Sequence, residues 1–134
     1  MSYATLLICT RCRAPGDDPT APRAGAALLA AVRAAASDGP SVRIAGAACL
    51  SGCKRQCVAA LTAPGKVTYL FGDLPADANG AADLLSVARS YSARADGYLR
   101  RQERPERLQA GILARLPPAA WIPEDSQAEI LWPA

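Results

Sequence analysis

The stretch SVRIAGAACLSGC, residues 41–53, decides the fold. Its first half alternates around Val42 and Ile44 as a strand does, and its second half opens at Cys49, with Cys53 following. A strand that runs directly into cysteines is the point from which the rest can be placed. Upstream, residues 3–8 (YATLLI) form a short apolar run of the kind that makes a buried strand, and this run also delivers the chain to cysteines, Cys9 and Cys12. Between the two strands, residues 14–23 (APGDDPTAPR) carry three prolines, a glycine and two aspartates, a composition that blocks regular structure. Residues 25–37 then place Leu28, Leu29, Val32 and Ala35 or Ala36 at helical spacing, and Asp38-Gly39-Pro40 stops the helix.

Strand, helix and strand in that order make a right-handed crossover with the strands parallel, so both strand ends fall on one edge of the sheet. Cys9, Cys12, Cys49 and Cys53 are therefore expected to converge.

Further along, residues 58–62 and 66–71 flank Ala63-Pro64-Gly65, where Pro and Gly stand as in a type II turn, and the pattern reads as an antiparallel hairpin. Tyr69 and Phe71, two apart on its second strand, share a face and read as core. Asp77 or Asn79 caps a second helix running to about residue 95, with Leu84, Leu85, Ala88 and Tyr91 on one face and Gly97 after its end. The expected fold is α/β, a four-stranded mixed sheet in the order β-α-β-β-β-α with the helices packed on it. Residues 1–97 form the domain that carries all the cysteines in this reading. Residues 98–134 form a C-terminal extension, with a short helix over 105–116 and with Trp121 and Trp132 anchoring it to the domain or to a second subunit.

The chain has 134 residues and contains five cysteines but no histidine. That absence excludes Ser-His-Asp and Cys-His hydrolysis, His-ligated zinc, His-ligated haem and Rieske-type clusters, all of which need an imidazole. The absence of a long apolar run or an N-terminal signal pattern argues for a cytoplasmic protein with no membrane contact. Cytosolic thiols stay reduced and five is an odd number, so a disulfide framework is disfavoured and metal binding or redox chemistry leads.

The spacing is C-x2-C at Cys9 and Cys12, then 36 residues, then C-x3-C-x3-C at Cys49, Cys53 and Cys57. Thiolates are soft donors that suit zinc or an iron-sulfur cluster, and without histidine the ligand set is all cysteine. Cys57 opens the third strand, where a free thiol often serves as a small apolar core residue, and it is kept as an additional candidate ligand. Residues 41–66 hold four basic residues, Arg43, Lys54, Arg55 and Lys66, and no acidic one, while Arg11 and Arg13 bracket Cys12. Such an edge would stabilise an anionic centre and steer an acidic redox partner. A net charge of +3 and few aromatics argue against nucleic-acid binding.

With these residues in view, the chain resembles the thioredoxin-like [2Fe-2S] ferredoxins: a strand ending in Cys, a helix, a strand ending in C-L-x-x-C, a hairpin with P-G and a closing helix. CLSGC, APGKVTYLFGDL and ARLPP resemble more closely a family of small bacterial proteins predicted to bind metal, often found near cobalamin-biosynthesis genes. The resemblance spans about residues 5–118. It implies that Cys9, Cys49 and Cys53 are cluster ligands, with Cys12 standing for a ligand that the ferredoxins place about a dozen residues after the first. It also implies an electron-transfer or accessory protein rather than an enzyme, holding a [2Fe-2S] cluster and linked to cobalamin biosynthesis, while a homodimer is the arrangement in which the tail tryptophans meet a second subunit. The alternative is a zinc-binding or metal-handling protein without redox function. A thiol oxidoreductase ranks third, because a loop of about a dozen residues separates Cys12 from the helix whose N-terminus would activate a thiolate.

Overall fold

The computed structural model describes residues 4–13, 16–36, 42–125 and 127–133. Tyr3, Ala14, Ser37, the Asp38-Gly39-Pro40 stop and Ser41, all assigned from sequence, lie outside them.

The first strand, β1 (Ala4–Cys9), turns its alternate residues Leu6 and Ile8 fully inward. Helix α1 (Ala24–Ala35) follows and buries Leu28, Leu29 and Val32, and β2 (Val42–Ala47) returns parallel to β1, from Ala4 opposite Val42 to Cys9 opposite Ala47. The expected crossover is therefore present, and Cys9 ends β1 level with the end of β2.

The hairpin joins β3 (Ala59–Thr62) to β4 (Thr68–Phe71). Its turn places Gly65 at φ +72°, the left-handed conformation that a type II turn requires at its third residue, and the Lys66 N–H donates to the Ala63 carbonyl at 3.2 Å. Tyr69 and Phe71 are fully buried and stack with ring centroids 5.9 Å apart, in keeping with a core face.

Helix α2 (Ala78–Ser92) starts at Asp77, whose carboxylate accepts the N–H groups of Asn79 and Gly80. Asp77, not Asn79, is thus the cap. The buried face is Leu84, Val87, Ala88 and Tyr91, whereas Leu85 is only partly buried. A right choice of period still leaves the stripe's centre uncertain by one position, and here the centre lies toward Val87.

The sheet has five strands, in the order β2-β1-β3-β4-β5, rather than the four read from sequence. The helix assigned to residues 105–116 is confined to α3 (Glu106–Ala110), and Gly111 ends it against Gly72, whose N–H donates to the Gly111 carbonyl at 2.8 Å. Residues Ile112–Leu116 then form β5, antiparallel to β4, with an irregularity between Leu70 and Phe71. The reason is an edge: without a partner, β4 would leave its outer row of backbone groups unpaired, and this segment pairs with them. Arg94 and Arg100 pair with Glu103, and Arg107 pairs with Asp83. Arg104 instead is buried, donating to the carbonyls of Leu108 and Leu99. Trp132 lies between Tyr98, at 5.9 Å, and Trp121, at 6.1 Å, with the Arg115 guanidinium 4.2 Å over its ring, so the two tryptophans hold the tail to the domain.

Candidate metal centre

β1 carries the chain to Cys9, Thr10 and Arg11 turn it, and Cys12 follows; both cysteines are buried, at 3% exposure each. The turn is tied to the neighbouring strands. The Cys9 N–H donates to the Val58 carbonyl at 3.0 Å, and both the N–H and the hydroxyl of Thr10 donate to the Ala47 carbonyl, at 2.8 and 3.1 Å. The loop beyond is fastened by its own arginines: Arg13 donates to the carbonyls of Asp18 and Ala21, and Arg23 donates to the carbonyl of Arg11.

The loop also brings α1 back to the cysteines. The Gly25 N–H donates to the Cys12 carbonyl at 3.1 Å, and a Cβ on Gly25 would fall 1.9 Å from the Cys9 carbonyl oxygen. The separation of Cys12 from α1 expected from loop length is therefore absent in space. Length along the chain did not predict distance because the loop folds back on itself.

Cys49 and Cys53, after β2, are exposed. The Cys49 sulfur accepts the Ser51 N–H at 3.2 Å, and Ser51 sits at φ +58°. Cys53 opens a short 3-10 turn, Cys53–Arg55. Cys57 is buried at 2% exposure, beside the two residues, Cys9 and Cys12, whose backbone and thiol meet Val58.

The thiols differ in charge preference. Burial alone would raise the Cys9 thiol, but N–H donors from Leu50, Arg11 and Cys12, together with the Cys12 thiol, overcome it and hold Cys9 below the usual thiol range. Cys12 is pushed up to about 12 by burial and by the neighbouring Cys9 charge, and Cys57 is raised for the same two reasons. Of the three buried thiols, Cys9 is thus the one whose surroundings favour the charged form.

The donor set suits a thiolate-ligated centre. Five free thiols are available and no imidazole competes, and the Leu50 N–H reaching the Cys9 sulfur links the two cysteine segments. Among the described residues, however, no three Cys, Asp or Glu side chains are gathered as a metal-holding group. Cys57 lies near Cys9 and Cys12 in the interior without completing such a group, and Cys49 and Cys53 stay at the surface. Sequence reading missed the N–H donors on Cys9 and the return of α1; the closest signal was Gly25, the small residue at the start of the helix.

Of the expected cations, Arg55 is engaged by Asp73, its Nε donating at 2.7 Å. Lys54 forms no ion pair among the described residues.

A family model described as a protein of unknown function, DUF1636, matches residues 6–118. Among solved structures, the fold is similar to that of a thioredoxin-like [2Fe-2S] ferredoxin from Aquifex aeolicus, with a TM-score of 0.53 and 14% identity over 87% of this chain and 96% of that chain. At that identity the likeness establishes the fold. None of the curated proteins matches the chain.

Proposed function

We propose that this chain, which belongs to the DUF1636 family of proteins of unknown function, is a cysteine-ligated metal protein of ferredoxin-like type. In this reading Cys9, Cys12, Cys49 and Cys53 hold a [2Fe-2S] cluster, which supplies one-electron transfer when bound. The observation that carries the reading is the common edge at which β1 and β2 end, Cys9 standing opposite Ala47, because it puts Cys9 and Cys12 at the same end of the sheet as the loop of Cys49 and Cys53. The fold shared with the ferredoxin supports it. Cys57 is a core thiol that contributes to the electrostatics of Cys9 and Cys12 without being required as a ligand.

The chain's own residues would do three things for such a centre. The N–H groups of Leu50, Arg11 and Cys12 offset thiolate charge at Cys9, the buried surroundings of Cys9 and Cys12 exclude water, and Lys54 offers a free cation at the exposed side. We read the protein as an electron carrier or accessory protein, cytoplasmic, meeting an acidic redox partner and able to form a homodimer, without binding nucleic acid. The link to cobalamin biosynthesis rests on the family resemblance alone. Residues 1–97 would be the binding unit and 98–134 an extension that also supplies β5. No helix among the described residues is long and apolar enough to cross a membrane.

The second reading, zinc binding or metal handling without redox function, is favoured by one observation: two ligands of the set are exposed, which suits exchange of an ion. Iron, zinc and acid-labile sulfide analysis of anaerobically purified protein separates the two, with an absorption spectrum as a further readout. Iron and sulfide in equal amounts are expected, with loss of both in Cys49→Ser and Cys53→Ser and retention in Cys57→Ser. Zinc alone would establish the second reading. Metal loss in Cys57→Ser with retention in Cys12→Ser would replace Cys12 by Cys57 as the fourth ligand.

A further inference from the structure

The structure assigns a second chemistry to Cys9 and Cys12: we propose that in the metal-free protein they form a reversible disulfide on oxidation by a small hydroperoxide. Thr10 and Arg11 make the turn between them. The two cysteines are thus its first and fourth residues, whose α-carbons lie within about 7 Å. A disulfide spans roughly 4.4 to 6.8 Å between α-carbons. Both side chains are buried at this turn, near enough for each thiol to act on the acidity of the other. Both residues are 3% exposed, which excludes a folded protein partner and leaves a small molecule as the oxidant. The backbone around them is braced by the bonds of Cys9 to Val58 and of Thr10 to β2 and by the packing of Gly25 on the Cys9 carbonyl. The pair can close without the chain being rebuilt.

The step balances with the hydroperoxide as oxidant. The Cys9 sulfur attacks one peroxide oxygen, the O–O bond breaks, and the departing oxygen takes a proton to leave as water or an alcohol. The Cys12 sulfur then attacks the Cys9 sulfur, the S–S bond forms, the S–O bond breaks, and hydroxide leaves with the Cys12 proton as water. Two thiols lose two electrons and the peroxide gains them. Two equivalents of a low-molecular-weight thiol reverse the reaction and leave as its disulfide. A consequence, which rests on the metal-centre reading above, is that oxidation removes two of the four ligands.

Chelator-treated, reduced full-length protein is exposed to stoichiometric hydrogen peroxide, alkylated under denaturing conditions and digested with trypsin. Cleavage after Arg11 and Arg13 separates the two cysteines. The expected product is the peptide ending at Arg11 joined to the dipeptide Cys12-Arg13, abolished by dithiothreitol. The same product is expected in Cys57→Ser and in the Cys49→Ser/Cys53→Ser double variant, whose substitutions at 49 and 53 lie on the surface. In Cys12→Ser, Cys9 should be captured by dimedone as the sulfenic acid. Linkage of Cys9 to Cys57, sulfinic acid on Cys9 beside a free Cys12, or survival of both free thiols would each overturn the proposal. Zinc and iron uptake by the reduced and oxidised chains is read separately. A reduced chain that takes up neither metal overturns the metal-centre reading and leaves the disulfide standing, whereas uptake unchanged by a mapped disulfide removes only the proposed consequence.

Discussion

Five cysteines of one chemical kind fall into two environments, and the difference is made by their neighbours. Cys49 and Cys53 stand in water on the loop after β2, whereas Cys9, Cys12 and Cys57 are enclosed. A bulky thiol reagent added to folded, reduced, metal-free protein should therefore label two thiols rapidly. The other three should follow only at the rate at which the fold opens, as read by mass spectrometry of partly labelled protein; five equal rates would contradict this division. Gly25 is the other decisive residue. A Cβ there would meet the Cys9 carbonyl oxygen at 1.9 Å, a backbone atom that no rotamer change can move aside. Gly25→Ala should cost about 3 kcal/mol or more of stability in urea unfolding, since the clash must be relieved by shifting α1 or β1. A loss of a few tenths would mean that the helix start is looser than the structure has it.

At the scale of elements, α1 and α2 were placed by period and by punctuation, but their ends were set by local hydrogen bonds. Asp77 accepts two N–H groups of the first turn of α2, so Asp77→Ala should lower the unfolding free energy by about 1 kcal/mol. Asp77→Asn should recover most of it, because an amide oxygen accepts the same bonds; equal losses in both variants would show that the cap contributes nothing. β5 followed a different logic. ILARL has little strand signal of its own, and its neighbours Glu106–Ala110 are helical. What makes it a strand is the free edge of β4, a demand that arises only once the hairpin exists.

Across the whole molecule, the sheet and the two long helices close over a core that contains two ionisable phenols, both satisfied internally. Tyr91 donates to the Val67 carbonyl at 2.6 Å, and Tyr69 exchanges bonds with the Leu99 backbone. Burial raises both above the usual tyrosine value of 10.0. A group whose pKa is raised on folding contributes stability that is present below the unfolded value and is lost as pH rises through the folded one. The protein should therefore lose stability as the pH rises above 10.0, and the tyrosinate absorbance of these two residues should appear together with loss of circular dichroism. Ionisation of all four tyrosines before any loss of structure would contradict that burial. The sequence by itself determined the crossover, the hairpin with its Pro-Gly turn, the two helices and the common edge at which β1 and β2 end. Period, turn chemistry and chain order are local properties, and the handedness of crossovers turns them into a topology. Only the tertiary structure decided the fifth strand, the return of α1 to Cys12, the N–H donors at Cys9 and the division of the thiols into buried and exposed. Apart from the local N–H groups of Arg11 and Cys12, these depend on groups far apart in the chain whose backbone bonds had to be satisfied by whichever segment the packing brought near.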